Sequence, residues 1–199
     1  MDLSRAIGRF SNTPILGWDS DIAEWADTGI CGSLSAFDRF ITQRTFGQKK
    51  RILLTNQAEV IPTQFEVVKL DGSDHPFILE GYNEDVANAE VYNLTYLIHQ
   101  AYVSVQIMEN VKTQRASGAY KVTGETVVET TWGDVERYTS DSSDNFEEVN
   151  TTVNFITLPK SALVTTDRFL KISGVNYSID EVFKQLDVTI VKSRSLGFN

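Results

Sequence analysis

Through most of the chain after residue 50, apolar residues come in short runs, and the clearest of these alternate with polar residues in steps of two. Between Tyr102 and Val111, Val103, Val105 and Ile107 alternate with Ser104 and Gln106. A period of two places the three aliphatics on one buried face of a strand. Arg51 to Leu54, Gln64 to Leu70, Pro76 to Leu79, Val91 to His99 and Val153 to Leu158 are further short apolar runs, punctuated by Pro62 and Asp71-Gly72. They read as strands. Asp71-Gly72-Ser73-Asp74 reads as a turn, because glycine accepts positive φ and aspartate bonds its own backbone. Ala119 to Thr131, with Tyr120, Val122, Val127 and Val128, predicts a long strand or hairpin bending at Gly124.

The first fifty residues read differently. Asn12-Thr13-Pro14, Gly17-Trp18-Asp19 and Gly29 to Ser33 are turn-rich. Ser33 is placed to cap a helix running to about Arg44, with Leu34, Phe37 and Ile41 as its apolar stripe. A second short helix is expected from Ser20 to Ala26, around Ile22, Ala23 and Trp25. The expected organisation is an irregular, partly helical N-terminal arm over residues 1–50 and one β-rich domain over 51–199. No internal repeat and no Pro- or Gly-rich linker stands out. The expected fold is mainly β, an antiparallel barrel or sandwich.

Composition agrees with that class. Val, Ile and Thr number 19, 14 and 19, with 21 aromatics, against 11 Ala and 14 Leu. Extended chain is favoured over helix by that balance. A chain of 199 residues buries enough surface to fold without staples. Its single cysteine, Cys31, makes no internal disulfide, and no signal peptide opens the sequence. A cytoplasmic product in a reducing compartment is therefore expected. No run approaches the ~20 apolar residues of a membrane span, so no membrane partner is expected.

Charge narrows the function. The net charge is −9, and no basic face of the kind that grips nucleic acid stands out. Two stretches hold more than the whole excess. Residues 71–90 carry Asp71, Asp74, Glu80, Glu84, Asp85 and Glu90 with no Lys or Arg. Residues 134–152 carry Asp134, Glu136, Asp141, Asp144, Glu147 and Glu148 against Arg137 alone. Within the second, residues 138–148 offer only Phe146 as a large apolar side chain beyond the leading Tyr138, so a long mobile loop is expected over Thr139 to Thr152.

Candidate chemistry is sparse. His75 lies in the turn beside Asp71 and Asp74, and His99 ends an apolar strand. No Gly-x-Ser-x-Gly elbow, phosphate loop or dinucleotide fingerprint occurs. Cys31 with two scattered histidines is a poor zinc supply, and the Asp141/Asp144 and Glu147/Glu148 pairs lack the spacing of a calcium loop. The expectation is a non-enzyme with no metal and no cofactor.

The last fifty residues carry the most specific pattern. Asp167-Arg168-Phe169-Leu170-Lys171-Ile172 leads through Ser173-Gly174 to Tyr177-x-Ile179 and Val182, then to Val188 and Ile190. It predicts a strand, a tight turn, a partner strand and a closing strand. Over roughly residues 101–194 the arrangement resembles the stopper and head-completion β-barrels of tailed-bacteriophage necks. The resemblance implies a virion protein, made in the host cytoplasm, that forms a homo-oligomeric ring of about six or twelve copies between portal or adaptor and tail proteins. DNA would pass through its channel without tight binding. A loop closing that channel would draw on Asp141, Asp144, Asn145, Phe146, Glu147 and Glu148. Contacts to neighbouring subunits are expected at Phe10, Ile15, Leu16 and Trp18 in the arm, and at Leu196 and Phe198 in the tail. Alternatives are a tail terminator, adaptor or baseplate component and, from another class, a monomeric carbohydrate-binding β-sandwich.

Overall fold

The computed structural model describes residues 13–35, 50–55, 60–87, 90–115, 117–140 and 151–195. Among them are twelve strands and no helix. The chain divides into two compact units, Met1–Tyr102 and Val103–Asn199.

The first unit is built from β1 (Thr13–Asp19), β2 (Glu24–Ser35), β3 (Lys50–Thr55), β4 (Val67–Leu70), β5 (Phe77–Ala87) and β6 (Glu90–Gln100). All pairings are antiparallel and the sheet closes in the order β1-β2-β3-β6-β5-β4. Closure leaves no exposed edge along the paired segments. Its interior is filled by Ile15, Ile30, Leu53, Val68, Phe77, Leu94, Tyr96 and Ile98. The β3–β4 connection adds Ile61 and Phe65 as a plug, and the Ile61 backbone N–H donates to the Tyr96 hydroxyl at 2.8 Å.

The second unit comprises β7 (Val103–Gln114), β8 (Tyr120–Ser140), β9 (Thr151–Pro159), β10 (Phe169–Ile172), β11 (Val175–Lys184) and β12 (Val188–Ser195). It closes in the order β7-β8-β9-β12-β11-β10. Val105, Ile107, Ile156, Leu158, Leu170, Ile172, Ile179 and Val191 fill it. Ala162 and Val164, from the β9–β10 connection, plug it as Ile61 and Phe65 plug the first unit.

The two barrels have the same topology, and the match extends to register. Ile15 faces Leu70 in unit one as Val105 faces Ile172 in unit two. Val68 faces Phe77 as Leu170 faces Tyr177. Phe77, Ile78 and Leu79 face Gln100, His99 and Ile98 as Tyr177, Ser178 and Ile179 face Ser195, Arg194 and Ser193. A bulge then falls at the same place, on Glu80 in one unit and Asp180 in the other. Val-Val-Lys-Leu-Asp-Gly (67–72) thus corresponds to Phe-Leu-Lys-Ile-Ser-Gly (169–174). Both glycines turn the chain at positive φ, 74° and 83°. Within β2 and β8, Gly32 and Gly133 are equivalent. A Cβ on either would lie 2.7 or 2.8 Å from a carbonyl oxygen of the next strand, Leu54 or Thr157.

Several expectations change. Residues 13–35 are not a separate arm, because β1 and β2 supply two of the six strands of the first barrel. The division of the chain therefore falls after Tyr102 and not near residue 50. The helix expected from Ser20 to Ala26 is a turn followed by the start of β2, since Trp25 is held opposite Trp18 across the hairpin. Ser33, expected to cap a second helix, lies inside β2, and residues 36–44 fall outside the described residues. The loop expected over 139–152 is shorter, because Thr139 pairs with Thr152 and Ser140 with Thr151.

Candidate interaction site on the β7–β8 arm

Of the side chains expected to meet neighbours, Ile15 is fully buried and Trp18 is nearly so, packed edge-to-face on Trp25 at 5.1 Å. Both serve their own barrel. Leu16 is half-buried on β1 and faces Lys69. Phe10, Asp141, Asp144, Asn145, Phe146, Glu147, Glu148, Leu196 and Phe198 lie outside the described residues.

The histidines separate as their neighbourhoods dictate. His75 is exposed in its turn, its backbone N–H donating to the Ser73 hydroxyl. His99 is buried in β6, with Nδ1 3.8 Å from the Glu80 carboxylate. The bulge turns Glu80 toward it. At the equivalent bulge Asp180 accepts from Arg194 Nε at 2.7 Å. The duplicated position thus holds an acid–base couple twice, buried in unit one and solvent-facing in unit two. Among the described residues no three His, Cys, Asp or Glu side chains assemble into a metal-binding group. No helix there is long and apolar enough to cross a membrane.

One feature sets the second unit apart. In unit one the β1–β2 ladder ends at the Asp19–Glu24 pair. In unit two the β7–β8 ladder passes the equivalent residue, Glu109, and continues through five more pairs to Gln114–Tyr120. Every described residue from Val111 to Val127 is exposed. The tip turns through Gly118, at φ 84°, with the Arg115 N–H donating to the Ala119 carbonyl. Cross-strand pairing puts Lys112 beside Val122 and Gln114 beside Tyr120 on one face. Thr113, Thr123 and Lys121 share the other, with the Thr113 and Thr123 hydroxyls 3.0 Å apart. Lys112, Arg115 and Lys121 outnumber Glu125 along the extension, so this part of an acidic protein is basic.

The root of the arm is held by the Asp167-Arg168 pair. Arg168 Nη2 lies 3.6 Å from Glu109 Oε2, and Arg168 Nη1 donates to the Leu163 carbonyl. The Leu163 N–H donates in turn to Glu129 at 2.8 Å. The Thr165 hydroxyl and the Asp167 backbone N–H hold the Asp167 carboxyl below the ordinary aspartate value; slight desolvation opposes them, and the Arg168 and Lys112 charges add to the lowering. Together Glu109, Asn110, Val111, Lys112, Thr126 and Asp167 line an open depression at this root. The arm is thereby braced at its base by contacts with the β9–β10 connection.

The sequence reading selected the Asp167-Arg168 element but not Lys112, Arg115 or Lys121. Their signal was three bases within ten residues in a chain of net charge −9. Comparison of the chain with protein-family models, with curated proteins and with solved structures finds no match.

Proposed function

We propose that this chain is a structural subunit of a tailed-phage neck, a stopper or head-completion component that acts by self-association into a ring around the DNA path. The observation that carries the reading is the extent of the second unit. The pattern resembling neck barrels spans roughly residues 101–194, and Val103–Asn199 is a compact, closed antiparallel barrel. The Asp167-Arg168 element of that pattern sits at the base of the β7–β8 arm, where it braces an exposed surface.

Both barrels are packed through with side chains and plugged by a connection. A filled barrel of this size conducts nothing. In this reading the DNA channel is enclosed between copies of the chain, and the net charge of −9 lowers the affinity of its wall for a polyanion.

Negative-stain imaging of the purified chain, alone and beside a portal complex, tests the proposal. The expected result is a ring with a central hole wide enough for a duplex. A species that stays monomeric under both conditions and gains thermal stability with a glycan would replace this reading with the carbohydrate-binding one.

A further inference from the structure

The duplication of the barrel supplies an internal control. Unit one closes the same topology with its hairpin ending at Asp19–Glu24, so the fold does not require residues 110–125. A two-stranded ribbon beyond its barrel is marginal in water by itself. It also exposes large apolar groups: Val111 at 43%, Tyr120 at 69% and Val122 at 51%. Past Glu109 neither barrel strand covers its outer edges, so unpaired ladder groups add to the contact surface.

The hairpin at the equivalent place in unit one has the opposite character. Its turn carries Asp19, Asp21, Glu24 and Asp27, with no Lys or Arg between them. Lys69 is placed beside it, its Nζ 4.7 Å from the Trp25 ring centroid. Ile22 stands out from this turn, 62% exposed. Asp19 and Asp27 are fixed by accepting the N–H groups of Asp21 and Gly29 at 3.0 and 2.9 Å. One hairpin therefore offers Lys112 beside Val122 and Tyr120 with Lys121 on its other face, and the other offers acids around Ile22.

We propose that the β7–β8 arm of one copy docks on the acidic β1–β2 turn of a second copy, making a head-to-tail interface. The inference rests on the reading of the chain as a self-associating subunit and names the surfaces that associate. The interface is heterologous, so repetition closes a ring when the rotation between copies permits and otherwise extends a filament. Exposed ion pairs contribute little one at a time. In this interface they fix partner and register, while the apolar groups at both surfaces supply affinity.

A charge swap in the full chain tests this. One variant carries Lys112→Glu and Lys121→Glu, the other Asp21→Lys and Glu24→Lys; all four positions are exposed. Sedimentation equilibrium reads the association, and far-UV circular dichroism checks that each variant is folded. Each variant alone is expected to associate at least about tenfold more weakly than the natural chain, because the reversed arm repels the acidic turn and the altered turn no longer attracts the basic arm. The two mixed in equal amounts are expected to recover association, since the natural arm of one variant again meets the natural acidic turn of the other.

Association of either variant alone at natural strength would overturn the arm inference, and a natural chain or mixture that stays monomeric would do so too. Loss of duplex-DNA binding by the arm variant, with its self-association unchanged, would overturn it in favour of a nucleic-acid arm. Rings that persist in both single variants would leave the neck reading standing without this interface. Recovery as closed pairs with no central hole would leave the interface standing and remove the ring.

Discussion

Asp180–Arg194 and Glu80–His99 occupy one topological position in two settings, and their contributions follow from burial. The His99 and Glu80 side chains are 1% and 5% exposed, whereas Arg194 is 61% exposed. Replacing His99 by alanine removes a packed imidazole from beside a buried carboxylate. It is expected to cost about 3 kcal/mol in urea unfolding. Arg194→Ala is expected to leave the urea midpoint unchanged, because water screens and replaces the exposed guanidinium. Asp167 tests the root of the arm by pH. Its folded pKa lies below the ordinary aspartate value of about 3.9. Its contribution is therefore complete above that value and lost as pH falls through the lower folded value. Thr165, the Asp167 backbone N–H, Arg168 and Lys112 are the groups that favour the carboxylate. Asp167→Asn is expected to lower stability at neutral pH and to flatten its decline below about pH 4. Parallel declines in variant and natural chain would show that the carboxylate contributes nothing there.

At the scale of elements, the duplicated glycines make the strongest claim. Gly32 and Gly133 each sit where the second strand of a barrel crosses closest to the third. A methyl group at either would press on a strand carbonyl, which cannot move aside as a flexible side chain would. Gly32→Ala and Gly133→Ala are each expected to destabilise by about 1–3 kcal/mol in urea unfolding. A neutral result at one and a cost at the other would argue that the two crossings are not equivalent. The strands themselves were legible where apolar runs were short and bounded by turns, as in Val103 to Ile107 and Phe169 to Ile172. The N-terminal strands were not. Gly29 and Gly32 and the bulge after Pro14 interrupt the period of two in β1 and β2. Trp25 and Ile22 then happened to fit a helical spacing. The duplication stayed hidden because a barrel needs apolar volume in register, not particular residues. Tyr96 and Val191 fill corresponding places, and the chain between Val68 and Phe77 is two residues longer than that between the equivalent Leu170 and Tyr177. What survives in sequence is the Lys-x-Asp/Ser-Gly turn, the acid at the bulge and the glycine of the second strand.

For the whole molecule, each copy carries two unlike surfaces, a basic arm on the second unit and an acidic turn on the first. Two electrostatic effects then oppose each other when copies meet. The net charge of −9 repels at long range, and the arm and turn attract at short range. They separate by screening length, about 30 Å at 0.01 M salt, 10 Å at 0.1 M and 3 Å at 1 M. Raising salt from 0.01 to about 0.1 M removes repulsion between charges spread over the molecular surface while sparing pairs a few ångströms apart. Association is therefore expected to strengthen over that interval. Toward 1 M the close pairs are screened as well, so association is expected to weaken again. An interface held by apolar contact alone behaves differently, tightening steadily as salt rises. Sedimentation equilibrium at three sodium chloride concentrations distinguishes the two. A maximum at intermediate salt, absent when Lys112 and Lys121 are reversed, requires the bases of the arm; a steady rise means that Val111, Tyr120 and Val122 act without them.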